Sequence, residues 1–423
     1  MQKFEYPSVG ETIYRDRLPN GLRLSVITKP GYTRSYAFFA TNYGGADRRF
    51  LLDGNYIDTP MGVAHFLEHK MFDMPDGDNA LSVLAANGAQ PNAYTSSGIT
   101  AYHFESTSNF DENLRVLLRF VSTPYFTDES VRKEQGIIGQ EIRMCEDDPD
   151  YVIYNELMRC LYDHHPVRDS VAGTIESIAE ITAETLYHCH QIFYNPGNMC
   201  LTVVGDVDPE AVRVAAMEIL PAQPGDIPGR DYGAPEAIAP VKTRFTRAME
   251  VSAPQFLLGA KLPAATGETA LRQKLVCGMA LNYLYSQSSP FYSRLYQQGL
   301  LNTDFFVDAD EAANTMTILA GGESRDPEAV FSAFCAEAKK AADEGLDTAY
   351  FSRMKKAGYG ARVRALSSFS GLCAAMADAD FGGYNCLDSF AVSESITQDE
   401  LRSFIREYLR EENFAMSVIT PVV

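Results

Sequence analysis

The chain has 423 residues, more than one ordinary hydrophobic core organises, so two or three domains are expected. A formal charge of −20 argues against nucleic-acid and anionic-membrane partners, because both favour Lys and Arg. The chain shows no membrane-helix stretch, no secretory leader pattern and no CxxC among its eight cysteines, which predicts a soluble cytoplasmic protein with reduced thiols.

Strand and helix patterns alternate along the first half. It is predicted to contain strands at Leu22–Ile27 and Tyr36–Tyr43, helices at Met61–Phe72 and Asn79–Asn87, a strand at Asn92–Glu105, helices at Glu112–Val121 and Glu129–Cys145, and a further helix from Tyr151. Strands that interleave with long helices indicate an α+β fold, with helices packed on a mostly antiparallel sheet.

The second half has a similar pattern. It is predicted to contain strands at Gln255–Leu262 and Thr315–Gly321 and helices around 268–285, 290–298, 326–343 and 347–364. The segments Ile181–Asp206 and Ile396–Val422 align without a gap at an offset of 215, and each reads as a Thr N-cap, an amphipathic helix, a polar break and a strand. Because the offset is close to half the chain, internal duplication is favoured over chance similarity. We therefore predict two homologous α+β domains.

A segment rich in Pro and Gly separates the halves. Residues 221–240 read PAQPGDIPGRDYGAPEAIAP, a composition that predicts an extended linker. We place the first domain at residues 1–222, the linker at 223–240 and the second domain at 241–423. All seven histidines lie in the first domain, so any histidine-based metal site is expected there and none in the second.

The string GVAHFLEHKMF contains the pattern His65-x-x-Glu68-His69. On a helix these three side chains share one arc of about 100°. The other positions are mostly apolar, so the helix is expected to be buried and its polar stripe to need partners. Two histidines at i and i+4 can bind zinc, and Glu68 beside them can act as a base. The pattern is the inverted form of HExxH.

The remaining histidines form no second metal pattern. His164 and His165 are adjacent in a predicted surface loop, and His188 and His190 point to different faces of one helix. His103 reads as an ordinary strand residue.

A carboxylate is therefore the better candidate for the third ligand that catalytic zinc needs. Glu134 and Glu141 lie seven residues apart, two turns along one helix face, although a solvated acidic face would give the same pattern. Gly136 and Gly139 lie between them, and glycine weakens a helix, so we expect another helix to approach closely at these positions.

Taken together, these features resemble the M16 (pitrilysin, insulinase-like) zinc metallopeptidases, which are inverted HxxEH zincins. The resemblance rests on HFLEH, KEQGIIGQEI, PNAYTSSGITAYHF, FYNPGNMCLTVVGD and SPFYSRLYQQGL, and covers nearly the full chain. The string HFLEHKMFDMPDGD is most similar to a bacterial branch associated with elongation factor P modification. The family implies a fold like that of the mitochondrial processing peptidase and one Zn²⁺ per chain.

The resemblance also implies roles for individual residues. His65 and His69 match the first two zinc ligands, Glu68 the general base and Glu141 the third ligand. The interval from His69 to Glu141 is a few residues shorter than usual in the family, so Glu146 is the alternative ligand.

Supporting positions follow from the same comparison. Glu134 matches an acidic residue that supports the catalytic site without binding metal. An edge strand that holds extended substrate matches Asn92, Ala93, Tyr94 and Thr95.

One part of the family pattern is missing from the second half. Many active members carry an Arg and a Tyr that clamp the substrate carbonyl, and neither is in register in Leu295–Thr303. Arg294 and Tyr296 are the nearest substitutes.

The resemblance implies a zinc-dependent endopeptidase in which Glu68 activates a zinc-bound water to hydrolyse peptides or unfolded segments. It also implies a homodimer, or a heterodimer with a related M16 subunit. The alternative is a non-catalytic or weakly active subunit that binds peptide or scaffolds a partner, and a non-proteolytic hydrolase is a third possibility. The presence of Glu68 favours catalysis, because an idle subunit needs no base.

Overall fold

The structure is a computed structural model that describes residues 1–422. The strands are β1 (Gln2–Tyr6), β2 (Glu11–Arg17), β3 (Arg23–Thr28), β4 (Ser35–Thr41), β5 (Arg49–Leu52), β6 (Asn55–Asp58), β7 (Ala89–Thr95), β8 (Thr100–Ser106), β9 (Met199–Gly205), β10 (Gly229–Arg230), β11 (Arg244–Met249), β12 (Gln255–Leu262), β13 (Phe306–Ala312), β14 (Thr315–Glu323) and β15 (Phe414–Pro421).

The helices are α1 (Val63–Lys70), α2 (Ala80–Ala86), α3 (Phe110–Ser122), α4 (Asp128–Glu146), α5 (Pro149–Leu161), α6 (Ile175–Ala179), α7 (Ala183–Phe193), α8 (Pro209–Ile219), α9 (Gly267–Tyr285), α10 (Pro290–Gln297), α11 (Pro327–Glu344), α12 (Thr348–Ala365), α13 (Phe369–Gly382), α14 (Ser389–Ser395) and α15 (Gln398–Tyr408). Within residues 1–422, none of them is long and apolar enough to cross a bilayer.

Unit 1, the first of two compact units, comprises residues 1–142, 170–232 and 363–381. Its main sheet has the strand order β1-β2-β3-β9-β4-β8-β7 and is antiparallel except for the β3–β9 pair. Side chains of α1, α3 and α7 pack with the sheet in one core, which includes the fully buried Phe39, Leu67, Leu118 and Leu201. Strand β7 forms one edge of this sheet.

Unit 2 comprises residues 143–169, 233–362 and, among the described residues, 382–422. Its sheet has the order β11-β15-β12-β14-β13, and β11–β15 is its parallel pair. In unit 1 the strands β3-β9-β4-β8-β7 follow the same order with the same parallel pair. The α+β fold with two similar domains is thereby confirmed.

The repeat predicted from the sequence corresponds to α7–β9 and α15–β15. Thr182 and Thr397 cap the two helices, each accepting a hydrogen bond from the backbone N–H three residues later. The Asn198 carboxamide donates to the Phe193 carbonyl at 2.9 Å, and Asn413 donates to the Tyr408 carbonyl at 3.1 Å. The same local hydrogen bond therefore joins helix to strand in both halves.

One segment from each half of the chain belongs to the compact unit that consists mainly of the other half. Helix α5 packs in unit 2, where Leu157 and Leu161 join Leu257 and Ile419 in one buried cluster. Residues 363–381, which include most of α13, belong to unit 1. The compact units therefore do not follow the division at 1–222, 223–240 and 241–423, which stays a prediction.

The segment Asn92–Glu105, expected as one strand, is an antiparallel hairpin of β7 and β8. Its turn forms where Ser96 accepts hydrogen bonds through its side chain from the N–H groups of Gly98 and Ile99. The alternation of side chains continues through both strands, so periodicity alone did not reveal the turn.

Candidate metal centre

Helix α1 begins at a glycine because no other residue fits there. Gly62 has φ of 89°, and a Cβ at this position would lie 2.5 Å from the Ala172 carbonyl oxygen. From this start Phe66 and Leu67 enter the core. The opposite stripe of α1, with the two histidines and Glu68, is left to form the polar site.

The structure brings His65, His69 and Glu141 together. Glu141 on α4 places Oε1 3.5 Å from His65 Nε2 and Oε2 3.6 Å from His69 Nε2. One ligand atom from each residue lies within 4.8 Å of the others. Within residues 1–422, this is the one group of three or more His, Cys, Asp or Glu side chains that could hold a metal ion. Ligands about 2.0–2.1 Å from a tetrahedral zinc lie about 3.3–3.4 Å apart, so the two separations from Glu141 to the histidines are close to those around zinc.

Glu134 contacts the trio through His69. Its Oε1 is 3.1 Å from His69 Nδ1, so Nδ1–H donates to Glu134 and Nε2 is left available on the side of Glu141. Carboxylates in this position commonly orient a metal-binding imidazole. The supporting role expected of Glu134 stays a prediction.

Charge and burial compete in this group. Burial disfavours the imidazolium of His69, but the hydrogen bond to Glu134 and the nearby carboxylates outweigh it and raise the pKa of His69. Burial likewise opposes ionisation of Glu134, yet His69 and Lys70 lower its pKa. The hydrogen bond with His65 lowers the pKa of Glu141 despite partial burial. Both of these acids are thus anionic at neutral pH, as metal binding requires.

Glu68 is buried beside the trio, and its Oε2 accepts a hydrogen bond of 2.8 Å from Thr95 Oγ1. Thr95 is the last residue of β7, so the edge strand and the carboxylate are directly linked. One Glu68 oxygen is held in this way, which leaves the second as the candidate proton acceptor.

Asn92, Ala93, Tyr94 and Thr95 all lie on β7, which pairs with β8 on one side only. Thr95 faces α1, whereas the Tyr94 ring packs on the other face, 6.2 Å from the rings of Phe38 and His103. Within residues 1–422 no strand pairs with the outer edge of β7, so its backbone groups can accept an extended chain.

The other candidates are not members of the trio. Glu146 is exposed at the end of α4 and is not a member of the group. In unit 2, Arg294 pairs with Glu337 at 2.9 Å, and Tyr296 stacks on Tyr292 and is half-exposed.

Two minor expectations were wrong. His165 is buried and caps a 3₁₀ turn, with Nδ1 accepting from the Val167 N–H, because the loop folds inward there. No helix approaches Gly136, where a Cβ would meet nothing within 4 Å, and at Gly139 the nearest atom is Ile178 Cδ1 at 4.0 Å. Packing therefore does not explain Gly136, and at Gly139 helix α6 comes only to ordinary contact distance, which leaves room for a Cβ.

The remaining histidines behave as expected. His188 is exposed and His190 is buried, as residues on different faces of α7 should be. His103 Nδ1 and the Tyr36 hydroxyl share a hydrogen bond of 2.7 Å. Burial lowers the pKa of His103 to about 4.

Sequence reasoning missed Lys70 and the hydroxyl of Thr95. The signal for Lys70 is its charge, which is unusual on a helix expected to be buried. The bond from Thr95 to Glu68 joins residues 27 positions apart and has no local pattern.

Two family models match the chain. The one described as insulinase (peptidase family M16) matches residues 54–175, and the one described as peptidase M16 inactive domain matches residues 180–357. The chain is 34% identical over 429 residues to the uncharacterized zinc protease YmfH of Bacillus subtilis (strain 168), covering 100% of this chain and 99% of the relative.

Solved structures agree with these matches. An M16-like peptidase from Alicyclobacillus acidocaldarius superimposes with a TM-score of 0.93 at 33% identity, covering 99% of this chain and 100% of that one. A protease from Helicobacter pylori superimposes with a TM-score of 0.83 at 19% identity, covering 97% and 99%. The second likeness concerns the fold alone.

Proposed function

The chain belongs to the M16 peptidase family, and from this premise we propose that it is a zinc-dependent endopeptidase. The observation that carries the proposal is the convergence of His65, His69 and Glu141, contributed by two separate helices, beside the buried Glu68. Relatives named zinc proteases support the metal, and the donor set of two imidazoles and a carboxylate suits it.

His65, His69 and Glu141 would hold the zinc ion, which would supply Lewis-acid chemistry for a water molecule and a peptide carbonyl. Glu68 takes the proton from the attacking water and delivers it to the leaving amine. Thr95 holds Glu68 in place, and Glu134 holds His69. The free edge of β7 binds the substrate backbone as an added strand, which positions the scissile bond next to Glu68.

Main-chain pairing of this kind requires an extended segment, so the proposed substrates are peptides or unfolded polypeptides. We further propose that the protein acts in the cytoplasm, as a homodimer or as a heterodimer with a related M16 subunit. The link with elongation factor P modification stays a prediction.

Replacing the proposed base tests the function. Glu68→Gln should abolish metal-dependent peptide cleavage while zinc stays near one ion per chain, because the amide cannot accept the proton. Cleavage of a peptide library and metal analysis are measured together. Glu146→Gln is the matched control and should retain both zinc and activity, whereas Glu141→Gln should lose zinc. Undiminished cleavage by the Glu68→Gln protein would refute the proposal.

A second candidate function is a weakly active or non-catalytic subunit. The engagement of Arg294 with Glu337, in place of the family's clamp, favours it. The peptide library should therefore be tested with the protein alone and with a related subunit, each with and without chelator. Cleavage by the isolated protein would exclude a non-catalytic subunit, and cleavage that the related subunit does not accelerate would exclude a weakly active one.

A further inference from the structure

Lys70 follows His69 on α1 and is almost completely buried. Its side chain is 3% exposed, its ammonium contacts the Asp73 carboxylate, and Nζ lies 3.6 Å from Oε2 of Glu134. Lysine is rarely buried to this degree without paired charges. The position of Lys70 within the metal centre therefore needs a physical reason.

Asp73 alone does not supply that reason. The Asp73 side chain is 40% exposed, so water solvates its carboxylate on the outer side and weakens its attraction for Lys70. Glu134 is the more buried partner, with a side chain 14% exposed. Removing one partner of such a buried pair leaves the other charge uncompensated. The contact between Lys70 and Glu134 is thus the one that depends on burial.

Glu134 is held at both oxygens. Oε1 meets His69 Nδ1 at 3.1 Å, and Oε2 faces Lys70. Two contacts from different directions fix the plane of the carboxylate, and that plane fixes the ring of His69. Charge points the same way: Glu68, Glu134 and Glu141 bring three negative charges near a site for a doubly charged ion.

We propose that Lys70 is a positioning residue of the metal centre, acting through Glu134 to aim the imidazole of His69. The inference rests on the proposed zinc site and concerns how tightly that site binds. Lys70 contacts neither substrate nor metal in this role. Its effect is transmitted by one carboxylate, which makes the effect separable by experiment.

The test measures zinc affinity of the full chain by competition with a chromogenic chelator. Lys70→Met should weaken zinc binding about 10-fold or more, the scale seen when supporting partners of metal ligands are lost. Lys133→Met is the matched control, since Lys133 precedes Glu134 in sequence but is exposed. The zinc affinity of the Lys133→Met protein should stay within about twofold of the wild-type value. Lys70→Arg should recover most of the affinity.

The same substitution in a Glu134→Gln background separates positioning from general destabilisation. If Lys70 acts through Glu134, Lys70→Met causes no further loss there. An unchanged zinc affinity in Lys70→Met, or an equal loss in both backgrounds, would overturn the role of Lys70. If Lys70→Met does not fold, Lys70→Gln is judged by the same criteria. Absence of zinc binding by the wild-type chain would instead overturn the proposed function together with this inference.

Discussion

Both ring nitrogens of His69 lie near a carboxylate, Nδ1 near Glu134 and Nε2 near Glu141. A histidine in this arrangement has its tautomer and its direction set by the protein before any metal arrives. His65 lacks such a second partner, because within residues 1–422 its Nδ1 is buried without a hydrogen bond. The two imidazoles of the motif are therefore not equivalent.

Thr95 gives the first prediction at this scale. Thr95→Val removes the hydroxyl that donates to Glu68 but keeps the side-chain shape. A misplaced base should lower kcat about tenfold or more, with zinc still near one ion per chain. Steady-state peptide cleavage and metal analysis provide the check. Thr12→Val in β2 of the same sheet is the control, and an unaltered kcat in Thr95→Val would contradict the role.

His190 gives a pH prediction. It is buried, its Nε2 lies 3.0 Å from the Val121 carbonyl, and burial lowers its pKa to about 4. An unfolded histidine titrates near pH 6.5, so between pH 6.5 and 4 the unfolded state binds the extra proton. Stability therefore falls as pH falls through this window, by up to about 1.4 kcal/mol per pH unit from His190.

Urea unfolding of metal-free protein at several pH values checks this expectation. His190→Gln keeps a donor for the Val121 carbonyl and cannot titrate, so its unfolding free energy should fall less steeply below pH 6.5. Parallel curves for wild type and variant would count against a neutral buried His190.

At the scale of elements, α1 and α4 build the centre, and their glycines differ in kind. Gly62 holds a left-handed conformation against the Ala172 carbonyl, whereas Gly136 is helical, exposed and faces open space. Gly136→Ala should therefore stabilise the protein by about 0.5–1 kcal/mol, because alanine favours the helix.

Gly62→Ala should do the opposite, since a Cβ there collides with backbone. Chemical denaturation of both variants measures whether each substitution raises or lowers the free energy of unfolding. A destabilised Gly136→Ala protein would show that the glycine has a role that packing does not reveal.

At the scale of the whole chain, part of the linker is fixed to unit 1. Arg230 Nε lies 3.0 Å from the buried Asp47, and the Tyr232 hydroxyl donates to the same carboxylate at 2.7 Å. Burial raises the pKa of Asp47, and these partners together with the Gly44 N–H partly offset it. The segment whose composition predicts an extended linker is thus held to unit 1 by contacts with the buried Asp47 carboxylate.

Arg230→Met leaves that charge without its main partner and should cost about 3–5 kcal/mol of unfolding free energy. Arg49→Met is the control, because the ion pairs of Arg49 with Asp58 and Asp231 are open to solvent and contribute little. Urea denaturation compares the two. Equal small losses would mean that Asp47 does not anchor the linker.

Local sequence alone determined α1, its His65-Glu68-His69 stripe, the α+β class and the α7–β9 repeat, because each depends on periodicity or capping within about 25 residues. Tertiary structure decided what local patterns cannot carry: that Glu141 rather than Glu146 joins the histidines, that Thr95 reaches Glu68, and that α5 packs in unit 2. The physical reason is that these contacts join residues far apart in the chain, where packing of apolar faces, and not spacing, sets which side chains meet.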